Sequence, residues 1–117
     1  MIKEACCEGF TEGINAEALG ANRIELCSNL AVGGLSPSFN EVKEALKFLN
    51  IPVFVMVRPR EWNFIYTKKE KELMIQEIRN LKNIKVEGIV IGSLNNKGEI
   101  DTEFMKEVVK IAKPMNI

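Results

Sequence analysis

The sequence has no histidine, only 3 cysteines, and no excess charge of either sign, because 16 basic residues balance 16 acidic ones. Without a Lys/Arg cluster it lacks the electrostatic footprint of a protein that binds nucleic acid or a membrane surface. No apolar run approaches the roughly 18 residues of a membrane span, and the charged N-terminus does not resemble a signal peptide. An odd number of cysteines argues against a disulfide framework. We therefore expect a cytoplasmic protein with reduced thiols that binds neither nucleic acid nor membrane.

The chain does contain an alternation of strand-like apolar runs and amphipathic helical segments. Four such units occur, and their strands are IKEACC, NRIELC, IPVFVMV and EGIVIG. This pattern predicts an α/β fold made of four βα units of a TIM-type (βα)8 barrel, whose usual length is about 250 residues. We expect residues 1–117 to form a single domain, the N-terminal half of a barrel truncated before strand 5, with MNI opening that strand. A small open sheet, complete in itself, is the alternative.

Local signals place the helices between these strands. The first helix is predicted near residues 11–19, and the next two begin at capping boxes, in which Ser38 precedes Glu41 and Thr67 precedes Glu70. The continuous apolar run IPVFVMV predicts a third strand that is buried on both faces.

Each of the first two strands ends in the same Glu-x-Cys pattern, Glu4 with Cys6 and Glu25 with Cys27. Ligand sites of parallel α/β folds lie at the carboxyl ends of the strands, and residues two apart share a face. If these strands are neighbours about 4.8 Å apart, the two Glu-x-Cys pairs occupy equivalent positions and their thiols meet.

Two adjacent thiols can remain free, form a disulfide, or share a soft metal ion. The expected compartment disfavours the disulfide. Two sulfurs without an imidazole suit Cu(I), whereas zinc ordinarily takes four ligands. Cys6 and Cys27 are therefore candidate copper ligands, and packing in the core is the competing interpretation. Cys7 points to the opposite face, and we assign it no role.

The charged residues at the strand ends support two interpretations. In one, Glu4, Glu25 and Arg58 form an ionic network that satisfies the buried carboxylates. In the other they are catalytic, with one carboxylate acting as a general base while Arg58 and Arg60 hold an anionic substrate.

The loops after the second and third strands are further candidates. Gly33 and Gly34 would let the backbone approach a ligand closely, or would serve only to make a turn. The alternating aromatics Trp62, Phe64 and Tyr66 would form a lid over the site, or would simply pack the loop.

The runs NRIELCSNLAVGGLSPS and IPVFVMVRPR, with a Y-[ST]-x-x-E motif at Tyr66, resemble the CutC family of copper homeostasis proteins. The resemblance extends from about residue 3 to residue 117. It implies a cytosolic (βα)8 barrel about twice this length that handles copper, with Cu(I) bound by the cysteines ending the first two strands. Those cysteines correspond to Cys6 and Cys27. Residues at family positions that would line or brace the barrel mouth are Glu4, Arg23, Glu25, Arg58 and Arg60.

Some positions depart from the family pattern. Asn22 replaces an acidic residue, and Glu61, Trp62 and Asn63 replace Gly-Gly-Asp, so the loop over the barrel mouth is expected to differ. The second half of the barrel has no counterpart in this sequence.

The sequence therefore predicts a copper homeostasis protein that binds Cu(I). The alternative is a TIM-barrel enzyme that acts on a small anionic metabolite without an obligatory metal. The expected partners are a copper ion or that metabolite, together with a second copy of the chain or a missing second half.

Overall fold

A computed structural model describes the chain from Met1 to Ile117, in which strands and helices alternate. The strands are β1 (Glu4–Glu8), β2 (Arg23–Cys27), β3 (Val53–Met56) and β4 (Gly88–Val90). The helices are α1 (Gly9–Ala18), α2 (Phe39–Phe48), α3 (Lys68–Asn83) and α4 (Thr102–Ala112). All strand pairs are parallel, and the strand order is β1-β2-β3-β4. The predicted α/β class with four βα units is confirmed. None of the helices has the length and apolar character needed to cross a membrane.

One face of the sheet forms the core with the helices. Ile24, Leu26, Val53, Val55 and Ile89 are almost fully buried at alternating strand positions. The apolar stripes of the helices cover them, through residues that include Val42, Ala45, Met74, Ile78, Leu81, Phe104 and Val108. Cys7 also belongs to this core, as its position in β1 predicts.

The opposite face of the sheet is only partly covered. Phe54 and Met56 of β3 are half-buried, while Val53, Val55 and Val57 are buried. The prediction that this strand is buried on both faces is therefore wrong for this chain. The reason is that the helices cover one face of the open four-stranded sheet, and no second layer of the chain covers the other.

The two predicted capping residues begin their helices, but their glutamates have other partners. Ser38 Oγ accepts a hydrogen bond from Glu41 N, and Thr67 Oγ1 accepts one from Glu70 N. The Glu41 carboxylate accepts instead from Phe10 N in α1, and the Glu70 carboxylate pairs with Arg60. Only half of each capping box forms, and the other half ties the helix to a distant segment.

Helix α1 begins two residues before its predicted start. The Glu12 side chain accepts from Glu8 N, and Glu41 accepts from Phe10 N, so two donors at the start of the helix are satisfied by carboxylates. At the other end, Gly20 has φ +102°, the left-handed conformation expected after a helix.

A fifth strand position follows α4. Asn116 forms a parallel bridge with Gly88, with hydrogen bonds from Ile89 N to Asn116 O and from Asn116 N to Glu87 O. Asn116 of the MNI run, which the sequence predicts to open a fifth strand, thus pairs with β4 at a single bridge.

Candidate functional site

The strand ends bring the two Glu-x-Cys pairs onto one face, but in a different register from the expected one. Cys6 lies opposite Glu25, and Cys27 lies opposite Glu8. The prediction that the two patterns occupy equivalent positions is therefore wrong by two residues. Because the side-chain period of a strand is two, a two-residue offset leaves every side chain on its predicted face.

The thiols of Cys6 and Cys27 meet across β1 and β2. Their Sγ atoms are 3.8 Å apart, well beyond the roughly 2.05 Å of a disulfide bond, so both cysteines are free thiols. Cys27 is fully buried and its thiol also donates to Cys7 O at 3.4 Å, whereas Cys6 is exposed on the open face. The pair thus has one buried and one accessible sulfur.

Both thiols hold their protons at neutral pH. Burial foremost, together with the neighbouring Cys6, Glu25 and Glu8, raises the pKa of Cys27 to about 12. The pKa of Cys6 is also raised, mainly by burial. A metal ion binding to both sulfurs must displace these protons, while the nearby carboxylates favour a cation and disfavour a free thiolate.

The donor set fits a soft monovalent ion better than zinc. No group of three or more Cys, Asp or Glu side chains converges to hold a metal. Two sulfurs 3.8 Å apart are within the span of one ion, given metal–sulfur bonds of about 2.3 Å as in zinc sites. A pair of thiolates is a donor set suited to Cu(I).

The carboxylates beside the thiols do not form the expected network with Arg58. Glu4 pairs with Arg23, whose guanidinium also lies 4.5 Å from the centre of the Phe54 ring. Burial, with Glu4 nearby, raises the pKa of Glu25 above its usual value. The ionic partner at this edge is thus Arg23, opposite Glu4 in the register.

Arg58 is held by backbone carbonyls of the loops that follow β2 and β3. Its Nη1 donates to Val32 O and Gly34 O at 3.0 and 2.9 Å, and its Nη2 donates to Trp62 O at 3.1 Å. Sequence reasoning missed these partners because every residue has a backbone carbonyl, so the order of side chains does not show which carbonyl accepts.

Gly33 and Gly34 lie directly against this guanidinium. Both are left-handed, with φ +93° and +94°, and their N–H groups bond to Leu30 O and Asn29 O within the loop. A Cβ on Gly34 would lie 3.0 Å from Met56 Sδ and 3.6 Å from Cys27 Cβ. The glycines therefore serve turn geometry and close packing beside Cys27, and their N–H groups are not offered to an anion.

Arg60 organises the aromatic loop. It donates to Asn63 O and Ile65 O at 2.8 Å each, and it pairs with Glu70 at the start of α3. Nothing brings Arg60 to the thiols.

The three aromatic residues of this loop have different roles. Tyr66 is buried with Arg60 over its ring, and Phe64 stacks on Arg58. Trp62 is 82% exposed with φ +88°, a conformation that is unusual for a bulky residue. Tyr66 packs the loop, Phe64 is partly exposed beside Arg58, and Trp62 projects furthest into solvent, as a lid residue would.

Comparison with known proteins adds a family relationship to this geometry. The sequence matches the model of the CutC family over residues 1–117. It is 39% identical over 117 residues to the copper homeostasis protein cutC homolog of Homo sapiens, an alignment covering all of this chain and 43% of the human one. It is 41% identical to a CutC family protein of Enterococcus faecalis, of which it covers 57%.

The same relationship holds in three dimensions. The crystal structure of the copper homeostasis protein CutC from Streptococcus agalactiae is similar to this chain with a TM-score of 0.91 and 34% sequence identity. The similarity covers 98% of this chain and 56% of that one. The chain thus spans about half the length of the relatives that it matches.

Proposed function

This chain belongs to the CutC family, and from that premise we propose that it serves copper homeostasis in the cytoplasm by binding Cu(I) through Cys6 and Cys27. The observation that supports the proposal is the 3.8 Å approach of two thiols from consecutive strands. Copper is the cargo here, and the two sulfurs supply soft donors suited to it.

The surroundings of the thiols support a cation as the ligand. Glu25 lies opposite Cys6 and Glu8 lies opposite Cys27, so each thiol has a carboxylate beside it on the neighbouring strand. These carboxylates attract a cation to the pair. Cys6, which is accessible, is the sulfur that an incoming ion meets first.

The three cysteines provide a matched set of variants for testing this proposal. We would titrate Cu(I) anaerobically against a competing chelator, using the native chain and Cys6→Ala, Cys27→Ala and Cys7→Ala. The native chain and Cys7→Ala are expected to bind one Cu(I) with the same affinity, because Cys7 lies in the core on the other face. Each of the other two substitutions should abolish tight binding. Circular dichroism verifies that every variant is folded.

Tight binding that survives both Cys6→Ala and Cys27→Ala would contradict the proposal. Equal loss in Cys7→Ala would contradict it as well, because the effect would then stem from a weakened fold.

A second candidate function is a barrel enzyme that acts on a small anionic metabolite. It is favoured by the meeting of two carboxylates, Glu4 and Glu25, on the open face, where either is placed to act as a general base. A metabolite that copurifies with the native chain and is lost from Glu25→Gln would support it.

The relatives are about twice as long, so we propose that this half-barrel associates with a second copy or with a second half of the barrel.

A further inference from the structure

A small cavity lies at the carboxyl ends of β3 and β4. Its volume is about 70 Å³, and it is lined largely by apolar side chains. The lining residues that matter here are Met56, Arg58, Phe64, Tyr66 and Val90. None of the three cysteines is among its lining residues.

Two polar groups of this lining have no partner in the protein. Tyr66 is only 6% exposed, and its hydroxyl makes no hydrogen bond. Arg58 has five N–H donors, of which the carbonyls of the loops accept three, and its buried Nε has no acceptor. Buried donors without partners are rare, because each loses its hydration without replacement.

The two unpartnered groups, Tyr66 Oη and Arg58 Nε, favour the same kind of ligand. A guanidinium can only donate, and its charge favours an anion. Burial raises the pKa of Tyr66, against a smaller opposing effect of Arg58 and Arg60, so the hydroxyl keeps its proton and can donate as well. An anionic oxygen is an acceptor suited to both donors.

We propose that this cavity binds a small monocarboxylate, whose oxygens accept hydrogen bonds from Tyr66 Oη and Arg58 Nε while its short apolar body contacts Met56 and Val90. The small volume and the apolar lining favour a carboxylate over a phosphate, whose further charged oxygens would find no donors here. The inference is independent of the copper proposal. It is connected with the second candidate function, because a monocarboxylate bound here would be the substrate class of that enzyme.

The test uses acetate and propionate as probes and the amide signal of Gly92, which lines the cavity, as the reporter. Sodium acetate and sodium propionate are titrated into the ¹⁵N-labelled native chain at constant ionic strength, with chloride and inorganic phosphate as comparisons. We expect a saturable shift of the Gly92 signal with both carboxylates. Tyr66→Phe should weaken binding by about tenfold or more, as expected for a hydrogen bond to a charged group.

The variant is expected to fold, because Tyr66→Phe deletes only a hydroxyl that makes no hydrogen bond, and its melting temperature should not fall. Arg79→Gln, which removes an exposed charge from α3, serves as the control for nonspecific attraction of anions and should leave binding unchanged.

Three results would overturn the inference: no saturable shift with either carboxylate, equal affinity in Tyr66→Phe, or tighter binding of phosphate. Glu25→Gln separates this pocket from the enzyme candidate, because carboxylate binding should persist in it. Binding of acetate or propionate that persists in Glu25→Gln supports the pocket whether or not the enzyme candidate fails.

Discussion

At the scale of single residues, the site depends on close contacts that side-chain patterns do not reveal. Gly34 packs its α-carbon between Met56 and Cys27, and its carbonyl accepts from Arg58. The loop after β2 therefore fixes Arg58 and the buried thiol together. A substitution in that loop should therefore alter the packing of both Arg58 and Cys27.

Gly34→Ala tests this packing against a matched glycine. Gly98 also has a positive φ, but a Cβ there would meet nothing within 4 Å. Both substitutions incur the left-handed strain, of about 1–2 kcal/mol. Gly34→Ala alone adds a clash with Met56, so we expect an extra loss of about 1–3 kcal/mol in urea unfolding, the range for overpacking.

Equal losses in Gly34→Ala and Gly98→Ala would mean that Met56 moves aside freely. The part of the loop that binds Arg58 would then not be rigid.

The residue scale also shows where sequence reasoning reaches its limit. The shared face of Glu4, Cys6, Glu25 and Cys27 follows from local alternation and is confirmed by the register. The two-residue offset between β1 and β2 is set by how the strands stack, which no single strand encodes. Arg58 was expected beside the carboxylates and instead bonds to carbonyls, which are the same in every sequence.

At the scale of elements, three of the four helices begin at a local cap whose side chain accepts from one of the first N–H groups. Ser38, Thr67 and Asp101 all accept from the amide three residues ahead. The first two were predictable because a cap is contained within four residues. The start of α1 was not, because one of its acceptors is Glu41, which lies 31 residues later.

Asp101 links α4 to α3 as well as capping α4. Its carboxylate accepts from Phe104 N at 3.1 Å and from Lys71 Nζ at 2.7 Å, and these bonds, the Lys71 one foremost, lower its pKa. Asp101→Ala should lower the free energy of unfolding at pH 7 by about 1 kcal/mol, the usual loss of an N-cap. Asp101→Asn keeps a capping oxygen and should lose less.

The same group gives this effect a pH dependence. A carboxyl whose pKa is lowered by folding stabilises the protein above its unfolded-state pKa, and this contribution disappears as pH falls through the folded-state value. The difference in unfolding free energy between the native chain and Asp101→Asn should therefore be largest near neutral pH and vanish in acid. A difference that grew on acidification would contradict the assigned role of Lys71.

At the scale of the whole molecule, the sheet is open on one face and at its β1 edge, while Asn116 begins to pair along the β4 edge. The α/β class was predictable because alternating periodicities of two and 3.6 are visible along the chain. The half-exposure of Phe54 and Met56 was not, because burial depends on what covers a strand rather than on the strand's own composition.

The open sheet predicts self-association of the 117-residue chain. The strand edge of β1 and the partly covered face carrying Phe54 and Met56 are surfaces on which a second copy would pair and pack. Sedimentation velocity at micromolar concentration should show a dimer. A single monomeric species at that concentration would contradict this expectation, and lysine substitutions at Phe54 and Met56 should shift a genuine dimer towards monomer.

The hydrogen bond from Phe10 N to the Glu41 carboxylate also constrains the order of folding during synthesis. The first turn of α1 is completed by a residue that leaves the ribosome only after 31 further residues. The first βα unit on its own lacks that acceptor, so we expect its helix to fray at the first turn until the second unit has emerged. A fragment that ends before Glu41 should therefore show less helix in α1 than the native chain does.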